Sequence, residues 1–234
     1  MPAQNIETYL ETHGEEAALA ALSHMHALQR IEGRGVPVGT IIDVGASNGS
    51  WSKMATQIWP DARAHMIEAY DHWEFSLDAL AARRPNFSYT MAAAGAEIGA
   101  VYFAMNSADP LGGYTSHSGD RLARSVRTVT IDSEAARLQL KPPYLIKLDT
   151  HGAERQILAG AQSSLANASV LVIEVYNFSS EAQRFPAITT LAESCGFHCI
   201  DIGEPLFRPH DRAFWQIDLF FVRSDRPEAL HQGY

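Results

Sequence analysis

The chain has 234 residues, 46% of them hydrophobic and 19% charged, with a net charge of −9. That length and balance suit a globular α/β domain with a sizeable core and exclude a disordered chain. The nearest basic cluster is Arg121, Arg124 and Arg127, too thin for a nucleic-acid partner, because phosphate recognition needs clustered Lys and Arg.

Residues 4–31 read as helix, broken near Gly14, with Leu19, Leu22 and Met25 forming an apolar stripe at helical spacing. They make an N-terminal helical extension over residues 1–39, packed on the core or lying over a substrate, and "GRGVPVG" connects it to the rest. From residue 40 to 234 strands and helices alternate. "TIIDV", "RAHMIE" and "NFSYTMA" read as strands, separated by the helices "GSWSKMATQIW" and "DHWEFSLDALAARR". Residues 95–131 break this rhythm: "GAVYFAM" and "SVRTVTI" read as short strands around a long Gly-, Ser- and Asp-rich loop over 105–125. Then "PYLIKLD" is strand, "GAERQILAGAQSSL" helix and "SVLVIEVY" a strongly apolar strand. "EAQRFPAITTLAESCG" is helix, kinked or broken at Pro186, and "FHCIDI" and "FWQIDLFFVR" close the chain as an antiparallel pair. Alternation with near-continuous apolar strands means a mostly parallel sheet covered on both faces, with an antiparallel edge.

Cys195 and Cys199, the two cysteines, have no second pair to complete a zinc site and read as small apolar side chains. Sparse cysteine and a polar start without a signal peptide point to the cytoplasm. No run is long and apolar enough for a spanning helix.

An open parallel sheet binds its ligand beyond the carboxyl ends of its strands, beside the first one. There "DVGASNG" gives D-x-G-x-x-x-G: Asp43, Gly45, Ala46, Ser47, Asn48, Gly49. It lacks the second glycine of a dinucleotide fingerprint and the Lys of a phosphate loop. An acid at the mouth of the loop suits a cationic ligand group. Glu68, closing the second strand ahead of Ala69, can take both hydroxyls of a ribose. Together these suggest a nucleoside with an amino-acid tail, S-adenosylmethionine. Ala93, in the small-residue run "MAAAG", lets an adenine ring lie flat, and Tyr70 and Trp73 are further candidates to flank it.

"IIDVGASNGSWS" with "HMIEAYD", then "LIKLDTHGAERQILAGA" and "VLVIEVY", resemble the FkbM family of S-adenosylmethionine-dependent methyltransferases, from about residue 40 to residue 222. The most specific stretch carries Asp149, Gly152, Glu154, Leu158, Gly160 and Ala161. Ser47, His151 and Ile131 stand where the family more often has Asn, Glu or Gln, and Leu. The resemblance implies a Rossmann-like, seven-stranded class I methyltransferase fold. It also implies transfer, usually to a hydroxyl, on a small molecule, natural product or glycan.

Methyl transfer to a hydroxyl needs the acceptor aligned, water excluded and a base for the proton. His151, just past a central strand, is the first candidate for the base because histidine titrates near neutrality. Asp149 either orients His151 or the acceptor, or binds a divalent metal together with Glu174. His117, Tyr114 and Asn177 are candidate acceptor contacts. A nicotinamide-dependent oxidoreductase and a cofactor-binding module without catalysis are the other readings, the first opposed by the glycine spacing and the second by the acids Asp43, Glu68 and Asp149.

Overall fold

The structure is a computed structural model in which residues 20–106, 109–116, 123–177 and 184–227 are described. The chain runs α1 (His24–Glu32), β1 (Thr40–Val44), α2 (Ser50–Ile58), β2 (Arg63–Glu68), a 3-10 turn (Asp71–Trp73), α3 (Glu74–Arg83), β3 (Phe87–Met91), β4 (Ala93–Ala94), β5 (Gly99–Asn106) and β6 (Asp109–Ser116). It continues with β7 (Ala123–Val129), α4 (Ile131–Arg137), β8 (Tyr144–Leu148), α5 (Glu154–Ala159), α6 (Gln162–Ala166), β9 (Ala168–Tyr176), α7 (Phe185–Ser194), β10 (Phe197–Phe207) and β11 (Phe214–Arg223).

Seven strands join in the order β10-β11-β9-β8-β1-β2-β3, and four more in the order β4-β7-β5-β6. β1 pairs in parallel with β2 on one side and β8 on the other, β2 with β3, and β8 with β9. β10 and β11 are antiparallel. This is the mostly parallel α/β sheet with an antiparallel edge expected from the alternation. The order reverses at β1, which makes the carboxyl ends of β1 and β8 the place for a ligand.

The chain divides into two compact units, Pro37–Glu174 and Met1–Val36 with Val175–Tyr234. In the first, β1 and β8 are buried along their whole length, as parallel strands covered on both faces must be. Ile41, Ile42, Leu145, Ile146, Val170 and Leu171 are wholly inaccessible, each worth about 1.5–3 kcal/mol relative to exposure. Glu134 of α4 is buried as well. It accepts from Thr90 Oγ1 (2.7 Å), meets His65 Nε2 (3.2 Å) and pairs with Arg137. Burial pushes its carboxyl up, but the hydrogen bonds from His65, Arg137 and Thr90 and the Arg137 charge outweigh that and hold it well below the usual carboxylate range.

In the second unit Ser23 caps α1, its Oγ accepting from the His26 N–H, and Ala27, Leu28 and Ile31 form the buried face. Arg30 grips Asp201 of β10 with two hydrogen bonds of 2.7 and 2.8 Å. His24 lies between Glu204 (3.3 Å) and Asp218 (2.9 Å). Phe197, Phe220 and Phe221 fill this core.

Four expectations change. The 105–125 loop contains a strand, β6, which pairs antiparallel with β5. Ile131 opens a helix, α4, rather than ending a strand; Thr130 and Ser133 cap it reciprocally, a short helix start that periodicity alone passes over. The helix expected over 152–165 is two helices, broken at Gly160, where a Cβ would stand 2.2 Å from the Gly95 carbonyl oxygen. Pro186 lies in the first turn of α7 and does not kink it, since its missing N–H has no partner to lose there. The helix expected before residue 20 lies outside the described residues.

Candidate active site

The turn after β1 is shaped by positive backbone angles: φ is +76° at Gly45, +50° at Ser47 and +78° at Gly49. A Cβ on Gly45 would lie 1.9 Å from the Asp149 carbonyl oxygen, so only glycine lets this turn pass against the turn after β8. A Cβ on Gly49 would meet Leu80 at 2.6 Å and Met66 at 2.9 Å. Ala46 is buried, and its carbonyl accepts from Gly49 N–H (2.8 Å). Asn48 is exposed, its Oδ1 accepting from Ser50 N–H at the start of α2.

Glu68, buried at the end of β2, closes the turn from beside it. Ser47 N–H donates to Oε2 and Tyr70 N–H to Oε1, both at 2.7 Å. Burial pushes this carboxyl up from its ordinary value, against the pull of the Tyr70, Ser47 and Ala69 backbone N–H groups. Both oxygens thus have a backbone donor in place, and the carboxylate keeps acceptor capacity for a further donor. Ala93 is buried in β4 opposite Thr128. Tyr70 stacks on His72, and Trp73 meets His72 edge-on.

Asp43 is fully buried. Ser52 Oγ of α2 donates to its Oδ2 (2.7 Å), and Lys147 Nζ stands 3.6 Å from its Oδ1. Lys147 also donates to Asp149 Oδ2 at 2.9 Å. Asp149 Oδ1 lies 4.0 Å from His151 Nε2, and Glu174 Oε2 lies 3.7 Å from the same nitrogen. Burial works to raise the Asp149 carboxyl, but the Lys147 charge, hydrogen bonds with Glu174 and Lys147, and His151 together bring it down to about 2. One donor atom each from Asp149, His151 and Glu174 lies within 4.8 Å of the others.

His151 itself is held at φ +55°, followed by Gly152 at +120°, a left-handed pair that side chains with a Cβ rarely adopt. Buried Glu154 braces the turn. Its Oε1 accepts from Thr150 Oγ1 (3.1 Å) and from Gly152 N–H (2.9 Å). Strained backbone of this kind, fixed by its surroundings, is a recurring feature of functional sites.

The structure thus brings Asp149, His151 and Glu174 together and sets the Asp43–Gly49 turn against Glu68. Asn177 belongs to the other unit, exposed, its N–H donating to the Trp215 carbonyl (3.0 Å). His117 and the side chain of Tyr114 lie outside the described residues. Lys147, Ser52 and the bracing role of Glu154 were not reached by motif. The signal for Lys147 is in the sequence nonetheless: a single charge in the apolar strand "YLIKL" must find a counter-charge when buried.

The model of the methyltransferase FkbM domain matches residues 43–199, and the chain belongs to that family. Methyltransferase FkbM from Methylobacillus flagellatus is similar in structure, at 16% identity and a TM-score of 0.50, over 91% of this chain and 52% of that one. The chain therefore spans about half the length of that protein. Magnesium protoporphyrin IX methyltransferase from Synechocystis, solved with bound S-adenosylmethionine, is 12% identical with a TM-score of 0.48, over 96% of this chain and 86% of that one. A didemethyltoxoflavin N1-methyltransferase from Burkholderia thailandensis is 12% identical with a TM-score of 0.45, over 96% and 93%. No curated protein matches the sequence. No helix among the described residues is long and apolar enough to cross a membrane.

Proposed function

We propose that the chain transfers a methyl group from S-adenosylmethionine to a hydroxyl of a small molecule, natural product or glycan. The observation that carries this reading is the pairing of two features at the carboxyl edge of one sheet. One is the glycine turn closed by Glu68; the other is an imidazole with two carboxyls within 4.0 Å of Nε2. The sulfonium supplies the methyl group and the leaving thioether. Glu68 takes the ribose hydroxyls, and the Asp43–Gly49 turn takes the amino-acid tail. Ala93 lies against the adenine.

His151 takes the proton of the acceptor hydroxyl as the methyl moves. Asp149 and Glu174 face its Nε2 and oppose the positive charge that the ring then carries. The reading is metal-free: the Lys147 ammonium, 2.9 Å from Asp149 Oδ2, is the cation of this cluster. Turnover is expected to survive exhaustive EDTA treatment, and loss restored by magnesium would reverse that part.

Calorimetry with S-adenosylmethionine and, separately, NADH tests the cofactor. Micromolar binding of S-adenosylmethionine alone, abolished in Glu68→Ala, is the expected result. Binding of NADH instead would replace this reading with the oxidoreductase one.

A further inference from the structure

Lys147 occupies a position that methyl transfer by His151 does not by itself explain. Its side chain is 4% exposed, at the carboxyl end of β8. The ammonium is 2.9 Å from Asp149 Oδ2, 3.6 Å from Asp43 Oδ1 and 5.6 Å from the centre of the Trp51 ring. These three partners come from three different places: the turn after β8, the end of β1, and the first turn of α2. Ser52, the residue after Trp51, holds the other oxygen of Asp43. A buried ammonium between two acids is not a surface ion pair; removing it leaves the fully buried Asp43 and the half-buried Asp149 without that counter-charge.

The division of oxygens gives the arrangement its direction. Asp149 turns Oδ2 to Lys147 and Oδ1 toward His151. Asp43 turns Oδ2 to Ser52 and Oδ1 toward Lys147. A line of charges thus runs from α2 through Asp43, Lys147 and Asp149 to the imidazole, hydrogen-bonded at Ser52–Asp43 and Lys147–Asp149 and purely electrostatic at the 3.6 Å Asp43–Lys147 and 4.0 Å Asp149–His151 steps. It starts behind the turn assigned to the cofactor and ends at the group assigned to the proton.

We propose that Lys147 is a positioning residue that couples the cofactor turn to His151, by holding Asp43 on one side and Asp149 on the other. The proposal rests on the methyl-transfer reading of both ends. An arginine keeps the charge and can reach both acids. A methionine fills the space and keeps neither link. With Lys147→Met, occupation of the turn no longer reaches the imidazole.

The test follows the ring signal of His151 by NMR at one pH, assigned by its loss in His151→Asn, before and after saturation with S-adenosylhomocysteine. The proteins are wild type, Lys147→Arg, Lys147→Met and the double variant Asp43→Asn/Lys147→Met, in which the lost cation is matched by a lost anion. Thermal melting establishes which are folded. In wild type and Lys147→Arg the ligand is expected to move the His151 signal. In both methionine variants the signal stays still although ligand binds, with affinity weakened roughly tenfold, in the range of site-to-site coupling. If Lys147→Met does not fold, the double variant decides.

A His151 signal that responds equally in the methionine variants, or that does not respond in a wild type that binds, overturns the proposal. A wild type that binds neither S-adenosylmethionine nor S-adenosylhomocysteine sinks the cofactor reading itself, which is a separate result.

Discussion

Gly45 carries the tightest constraint in the site, because its missing side chain is where the Asp149 carbonyl oxygen sits. Gly45→Ala is expected to cost about 2 kcal/mol or more, from the left-handed backbone and the displaced turn together, read as a lowered denaturation midpoint with loss of cofactor binding. His151→Ala is expected to behave differently: cofactor affinity within twofold or so of wild type and transfer slowed by roughly a hundredfold or more, the range of a lost general base. Full activity in that variant would dismiss the base. Glu68 makes a pH prediction. In the proposed reading its ionised form accepts the ribose hydroxyls, and burial raises its carboxyl. Affinity for S-adenosylmethionine should therefore fall as the solution is acidified, at a pH above that of an ordinary glutamate, and Glu68→Gln should remove this dependence. Asp43, Glu68 and Asp149 were legible because an acid that ends an apolar strand advertises itself. What each acid touches was not, since partners such as Lys147 and Ser52 lie far apart in the chain and meet only through sheet order.

Among the elements, α4 is the one whose fastening makes the sharpest claim. It is seven residues long, too short to be stable by itself, and Glu134 ties it to His65 of β2 and Thr90 of β3. Glu134→Ala should destabilise by about 3 kcal/mol, because the buried His65 and the Arg137 charge lose their partner. Urea denaturation measures it, and a change below about 1 kcal/mol would mean the network is not holding the helix. The parallel strands could be read from sequence because burial on both faces makes them apolar runs. β6 could not. "DPLGGYTS" carries two glycines and a proline, a turn composition, and its strand state comes from pairing with β5 rather than from its own preference. The break at Gly160 has the same origin. A contact with the Gly95 carbonyl, from a part of the chain 65 residues away, decides it.

Across the whole chain, acid stability gathers these groups into one expectation. Asp149 is brought down to about 2, and Glu134 lies well below the carboxylate range. In the unfolded chain both titrate near 4. Below that the unfolded state binds more protons. The stability they contribute is therefore complete above about pH 4 and is lost as the pH falls toward 2. Glu68, with a raised carboxyl, has the opposite sign: its contribution is greatest at low pH and is withdrawn as pH rises through its folded value. Over pH 7 to 4 only the Glu68 contribution changes, and it grows as the pH falls; denaturant midpoints at pH 7, 4 and 2.5 should therefore hold or rise over the first interval and drop over the second. In Lys147→Met the drop over the second interval should be smaller, since Asp149 is no longer held down and takes its proton in the folded state nearer to the pH at which the unfolded chain does.

The left-handed turn at His151 has a consequence for which residues can occupy the site at all. At φ +55° glycine has no Cβ penalty, asparagine, aspartate and histidine are the other residues that this backbone admits most readily, and β-branched residues are excluded. In a saturation library sorted for folded protein, glycine, asparagine and aspartate should equal histidine, while valine and isoleucine drop out. Sorted for methyl transfer, the same library should return histidine first. A library in which both rankings agree would mean that position 151 serves the turn and not the reaction.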